Sequence, residues 1–440
     1  MSHTASSVRK LQLGVVAVAT VAALAACSST GAGGGSTSAY TTAVQGDVLS
    51  LSGANPHALG KGLKVKIGLD LAITGQGAFY GKVMQQGAKL AADQIEAAGG
   101  PHIDFVIKDH KSGDASAGVQ TTRELGQDDV HMAMYSYIGV LGSAFQGIKQ
   151  YKILSLDGGG GTSTFGTGKA YFYGSRANAP HDTYAGVAKH IAASMPNAKK
   201  VAVIIQDAGA GYASSAKDIL STELPKNGLT LSDFEVAPVG ATDVSGAITK
   251  ILADKPDVIL DNQFGTDPGY FLKQLRATGS TVPVIGSDYQ PDLAQIVGSG
   301  IDGYTFANDF FPATAPANDW AKYFVDTYKE AYPADGNPSF YSANYYEDTF
   351  ILWQVLQRVI AKGGDVNNPD TLLAAFTSHP SYPSLYGPGD GKPYGNISFD
   401  PATHSVAARG MGVYQYQAAS KSFKTLSEFG LGGSDFKLDQ

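Results

Sequence analysis

Lys66–Gly100 reads KIGLDLAITGQGAFYGKVMQQGAKLAADQIEAAGG. Its first third is rich in Ile and Leu, as a strand covered on both faces should be. A glycine-punctuated turn follows, and then Val83, Gly87, Leu90, Ile95 and Ala98 recur at helical spacing until Gly99 and Gly100 stop the run. Strand, turn and helix in that order are one unit of a βαβ repeat. The same rhythm continues through IDFVIKD, HMAMYSYI, KILSLD, VAVIIQD, DVILDNQF and VPVIGSD, with helical stretches between them. Such alternation predicts open parallel sheets with helices on both sides, whose ligands bind beyond the C-terminal strand ends.

The polar and aromatic residues at those strand ends are therefore the first site candidates: Asp157, Asp207, Phe264 and Asp288. Asp157 leads into LSLDGGGGTST, Leu154–Thr164. Glycine-rich loops after strands often cradle phosphate, but the P-loop pattern needs Gly-Lys followed by Ser or Thr. The nearby Gly168-Lys169 is followed by Ala170, so a nucleotide loop fails on spacing. A small carboxylate, another polar ligand and a plain turn all remain open for this loop.

A second block of strand and helix repeats begins near Lys199, after the turn-rich YGSRANAPHDT. Another break falls at DFFPATAP, Asp309–Pro316, before two helices, NDWAKYFVDTYKEAY and YSANYYEDTFILWQVLQRVIAKGG. The aromatic residues of the second helix read as packing. The tail GNISFDPATHSVAARGMGVYQYQ reads as strands.

The N-terminus carries Arg9 and Lys10, then LQLGVVAVATVAALAA and Cys27. This resembles a bacterial lipoprotein signal peptide, residues 1–26, with Cys27 as the lipidation site. Cys27 is the chain's single cysteine, so no intramolecular disulfide can form. Residues 27–60 are rich in Gly, Ser, Thr and Ala and read as a flexible spacer. The roughly 380 residues beyond exceed what one hydrophobic core usually supports, which predicts two domains. The formal charge is −7, and −9 without Arg9 and Lys10, an acidic balance that argues against nucleic acid as a partner. Nine histidines show no metal-binding spacing, no GxSxG elbow occurs and no carboxylate pair is singled out. No cofactor, metal or catalytic residue is expected.

Taken together, Leu63–Tyr416 resembles the type I periplasmic binding proteins, specifically the branched-chain amino acid (Leu/Ile/Val) binding proteins of ABC transporters. The resemblance is carried by Lys66–Gly100, by VAVIIQDAGAGYASSAKDIL, by FLKQLRATG and by GNISFDPATH, in that order. It implies an α/β fold of two Rossmann-like lobes with parallel sheets, joined by three crossovers, with the ligand cleft between them. Lobe one would comprise 61–175 and 310–395, and lobe two 176–309 and 396–440. The crossovers would lie near Tyr173–Asn178, Tyr304–Pro312 and Tyr394–Asp400.

The resemblance also assigns a ligand site. Gly159, Gly161 and Thr162 would offer backbone N–H groups and a hydroxyl to a ligand carboxylate, and Asp288 would take its ammonium. Tyr212 would cover the ligand from lobe two, with Tyr80 in the lobe-one wall and Phe264 near another cleft aromatic. Ser136, Tyr137 and Ile138 occupy the loop after the third strand, where Ile138 replaces the family's usual serine. The function implied is a monomeric, lipid-anchored solute receptor on the outer face of the membrane, delivering an amino acid or related small ligand to ABC permease subunits. A ligand sensor of the same fold, and an extracellular hydrolase, are the alternatives.

Overall fold

The computed structural model describes residues 48–54, 57–159, 163–177, 181–209, 211–309 and 311–439. The leader, Cys27, Gly161 and Thr162 lie outside the described residues.

Two eight-stranded sheets form the frame. The first is built from β1 (Lys64–Leu71), α1 (Ala78–Ala97), β2 (His102–Asp109), α2 (Ala115–Gln127), β3 (Met132–Tyr135), α3 (Ile138–Tyr151), β4 (Leu154–Asp157) and β5 (Phe172–Gly174). The second takes α4 (Tyr184–Ser194), β6 (Lys200–Gln206), α5 (Tyr212–Lys226), β7 (Thr230–Ala237), α6 (Ser245–Ala253), β8 (Val258–Asn262), α7 (Asp267–Ala277), β9 (Val284–Gly286), α8 (Asp292–Val297) and β10 (Thr305–Asp309). The chain then returns to lobe one with α9 (Asp319–Ala331), α10 (Phe340–Ala361), α11 (Pro369–Thr377), β11 (Ser381–Ser384), β12 (Gly395–Asp400) and β13 (Ser405–Val406). It ends in lobe two with β14 (Met411–Gln417), β15 (Ser422–Phe429) and β16 (Lys437–Leu438).

Strand order is β11-β12-β13-β5-β4-β3-β1-β2 in the first sheet and β16-β15-β14-β10-β9-β8-β6-β7 in the second. Strands β1 to β5 pair in parallel, as do β6 to β10. Each sheet thus has its own reversal of strand order, beside β1 and beside β6, and the two reversals face one cleft. Central strands β3 and β4 are buried throughout, whereas edge strands β2 and β7 are half-exposed and carry open Ile107 and Val236.

Two expectations are corrected. Strands β12 and β13 pair within the first sheet, so residues 395–406 belong to lobe one and the third connection falls at Ala407–Gly410 rather than at Tyr394–Asp400. The spacer is also shorter than 27–60. Val48 is fully buried, Leu49 and Leu51 pack on the lobe-one core, and Gln354 Nε2 donates to the Ser52 carbonyl at 3.2 Å. These apolar residues cover one side of α10, which a solvated leash would not do.

Helix α10 is buried on nearly every side and starts at a capping box in which Ser339 and Ser342 exchange hydrogen bonds. It crosses α1 so closely that a Cβ at Gly87 would fall on the Ser342 carbonyl oxygen. A glycine at helical spacing here is therefore a packing requirement.

Candidate functional site

Between the lobes lies a cavity of about 550 Å³. Its walls come from the segments that leave the strand ends: Ser112 and Gly113 after β2, Tyr137 after β3, Gly159 after β4, Asp207 and Ala208 after β6, Val239 after β7 and Phe264 after β8. Helices α1 and α10 add Tyr80, Met84 and Tyr341, and the first two turns of α3 add Gly139, Gly142 and Ser143. Aromatic and aliphatic residues make up eight of its seventeen lining residues and glycine five more. Among the described residues, no lysine, arginine or histidine lines it, and Asp207 is the carboxylate that does.

An aromatic group shapes the lobe-one side. Tyr80 packs against Tyr341 with ring centroids 4.9 Å apart and against Tyr137 at 6.1 Å. Tyr137 sits at φ 69, a left-handed conformation costing on the order of 1–3 kcal/mol for a bulky residue. It is the turn that starts α3, so the α3 amino terminus, with its partial positive charge, opens on the cavity.

The lobes touch directly around this space. Gly265 N, in lobe two, donates to Tyr80 Oη at 3.1 Å, and Tyr341 Oη donates to Asp288 Oδ2 at 2.8 Å. Asp288 is otherwise occupied by Tyr289 N at 2.7 Å and by Asn308 Nδ2 at 3.4 Å. Burial pushes its carboxyl up to about 6, against the opposing influence of Tyr341, Arg176 and Tyr80.

Among the residues expected from sequence, Tyr80, Tyr137, Gly159 and Phe264 line the cavity together. Asp288 does not line it: it lies behind Tyr341, filled by protein donors. Gly159 is in the wall, but its N–H donates to Asp157 Oδ1 at 2.7 Å in a local turn and so is not directed at a ligand. The glycines here are needed for close approach. A Cβ on Gly158 would stand 2.8 Å from Asp348 Oδ2, and one on Gly159 would stand 2.9 Å from Ser136 Cβ.

Ser136 is buried below the wall, where its hydroxyl is 2.9 Å from His110 Nε2. Burial pushes the His110 imidazole down to about 4, so this pair is neutral at physiological pH. Ile138 starts α3. Tyr212 starts α5 but turns its ring into the lobe-two core, 4.4 Å from His181 and 6.5 Å from Phe165 by ring centroids, rather than over the cavity. Tyr341 was hidden in the sequence, because it belongs to a helix whose other aromatics are core. Among the described residues, no group of His, Cys, Asp or Glu could hold a metal ion, and no helix is long and apolar enough to cross a membrane.

A family profile described as periplasmic binding protein matches residues 64–422. The Leu/Ile/Val-binding protein homolog 1 of Brucella suis is 25% identical over 331 residues, spanning 73% of this chain and 85% of its own. A substrate-binding protein of a branched-chain amino acid transporter from Streptococcus pneumoniae, solved with isoleucine, superposes with a TM-score of 0.68 at 22% identity, covering 82% of this chain and 98% of its own. A solute-binding protein of an ABC transporter from R. palustris, solved with benzoate, gives 0.70 at 18% identity, covering 86% and 98%. The two structural likenesses show a shared fold. With the profile spanning most of its length and two lobes closing on one cavity, the chain belongs to the periplasmic binding protein family, in its type I architecture.

Proposed function

We propose that this protein is an extracytoplasmic solute receptor of an ABC transporter, tethered by lipid on Cys27, and that it binds a small organic carboxylate with an apolar or aromatic body. The observation that carries the reading is the cavity itself: about 550 Å³, walled by Tyr80, Met84, Tyr137, Val239, Phe264 and Tyr341, and open to the amino end of α3. Isoleucine and benzoate, the ligands of the two structural neighbours, both join a carboxylate to an apolar body.

The division of labour follows from the lining. Aromatic faces bury the ligand body, and the α3 terminus favours its negative charge. Because the cavity is shared by both lobes, a bound solute favours the closed arrangement over the open one, which is the signal a permease reads. The protein binds and releases its solute without chemistry. Asp207 is placed to accept an ammonium where the solute has one.

A thermal-shift screen of residues 28–440 against amino acids, benzoates, aliphatic acids, amides and sugars tests this reading. A solute at 100 times its Kd stabilises by about 2.7 kcal/mol. Stabilisation by apolar carboxylates supports the reading, and stabilisation by sugars alone rejects it.

A further inference from the structure

A buried charged cluster joins the three connections between the lobes. Arg176 lies in the first connection, Asp309 ends β10 where the second begins, and Arg409 lies in the third. Asp309 Oδ1 is 3.2 Å from Arg176 Nη2, and its Oδ2 is 3.3 Å from Arg409 Nε. Arg409 Nη1 reaches Glu347 Oε1 of α10 at 3.4 Å. One carboxylate is thus held between two guanidiniums contributed by the other two connections. All four side chains are 5% exposed or less.

The cluster also reaches the cavity. Arg176 Nη1 donates to the Gly159 carbonyl at 3.1 Å, and its guanidinium lies 4.9 Å from the centre of the Tyr341 ring. Gly159 and Tyr341 both line the cavity. Asn344 repeats the pattern one step away: its Nδ2 donates to the Gly158 carbonyl at 3.2 Å, while its Oδ1 accepts from Arg409 Nη2. The carbonyls of Gly158 and Gly159 are therefore both fixed by the cluster that spans the connections.

Stability alone is a poor reason for such a cluster, since a buried ion pair often does no better than an apolar replacement. Geometry is a better one. A guanidinium is a planar fork that holds several acceptors at set angles. Lobe movement requires backbone rotation in the connections, and a carboxylate clasped from two of them limits those rotations to arrangements that keep both charges paired. Burial alone would lower the basicity of Arg176, but Asp309, Tyr341 and Asp288 hold its guanidinium above its ordinary value, so it remains charged at any pH the protein meets.

We infer that Arg176 is a positioning residue for the solute cavity: pinned by Asp309, it sets the placement of Gly159 and Tyr341 and so couples solute affinity to the geometry of the three connections. The affinity part of this inference rests on the interlobe cavity being the solute site, and the lobe-geometry part does not.

The test uses residues 28–440 with spin labels at V119C on α2 and V236C on β7, both exposed in the wild type. Distance distributions between the labels are read by pulsed electron resonance, and affinity by calorimetry with benzoate or isoleucine, whichever binds the wild type. D309N removes the carboxylate that the two guanidiniums share, leaving Arg176 unpaired and Arg409 with Glu347 alone, and should broaden or split the distance distribution. R176K keeps a charge beside Asp309 but loses the fork, so it should leave the distances as in the wild type while weakening the probe at least fivefold. Wild-type distances in D309N, or wild-type affinity in folded R176K, overturns the inference. Should D309N not fold, R176M/D309L, which discharges both partners and leaves Arg409 to Glu347, takes its place with the same expectation. If neither probe binds the wild type, the cavity reading fails for those solutes and the affinity part of the inference falls with it, while the distances still decide whether the cluster governs the lobes.

Discussion

Tyr341 in lobe one and Asp288 in lobe two are joined by a hydrogen bond of 2.8 Å that bridges the lobes behind the cavity wall. A neutral donor on a carboxylate buried this deeply contributes roughly 1.5–3 kcal/mol. Removing the hydroxyl while keeping the ring isolates that contribution. Y341F should therefore bind its solute roughly ten- to a hundredfold more weakly with an unchanged apolar wall, as calorimetry would show. Unchanged affinity would mean that the bridge does not help hold the lobes together.

Asp288 itself separates two accounts of the site. Its carboxylate is filled by Tyr341, Tyr289 and Asn308, so the cavity reading assigns it to closure and the resemblance to a ligand ammonium. D288N should accordingly weaken benzoate and isoleucine by similar factors. A loss confined to isoleucine would return Asp288 to the ammonium role expected from the sequence.

His190 supplies a pH dependence with a definite sign. Burial pushes its imidazole down to about 4, so the folded protein resists a proton that the unfolded chain accepts near 6.5. Its contribution to stability is present above pH 6.5 and lost as the pH falls through 4. Between pH 7.5 and pH 5 the wild type should lose about 2 kcal/mol more than H190Q, measured by urea unfolding. Parallel losses would mean that His190 is not held neutral.

Gly87 sits where α1 meets α10, with no room for a Cβ beside the Ser342 carbonyl. G87A improves helix propensity by about 1 kcal/mol yet overpacks the contact, at a cost of roughly 1–3 kcal/mol. The expected net result is a lower melting temperature. A rise would show that the two helices can separate freely.

The sequence made the fold legible because the central strands are covered on both faces and so appear as apolar runs, as in Val201–Ile205 and Leu154–Leu156. Strand β7 escaped because it is an edge strand with Ser232, Asp233 and Glu235 among its residues. Strand β10 escaped because it ends in Asn308 and Asp309, polar groups that are buried only through partners far away in the chain. The same reason hid the cluster at the connections. Arg176 stands in a segment that reads as a turn, and its ion-pair partner Asp309 is 133 residues distant. Of the strand-end candidates, Asp207 and Phe264 stand in the cavity wall, as do Tyr80, Tyr137 and Gly159 from the resemblance. Local sequence did not show that the Gly159 N–H is taken by Asp157, or that Tyr212 turns away from the cavity.

The central claim, that a small apolar carboxylate occupies the interlobe cavity, is tested most directly by titrating benzoate, 4-hydroxybenzoate and isoleucine into residues 28–440 and into A115W. Ala115 is exposed at the cavity mouth as the first residue of α2, so a tryptophan there blocks the space without disturbing a core. The account predicts saturable binding of at least one of these acids to the wild type and at least a hundredfold loss in A115W. Binding that survives the block, or a wild type that takes none of the three, would contradict it.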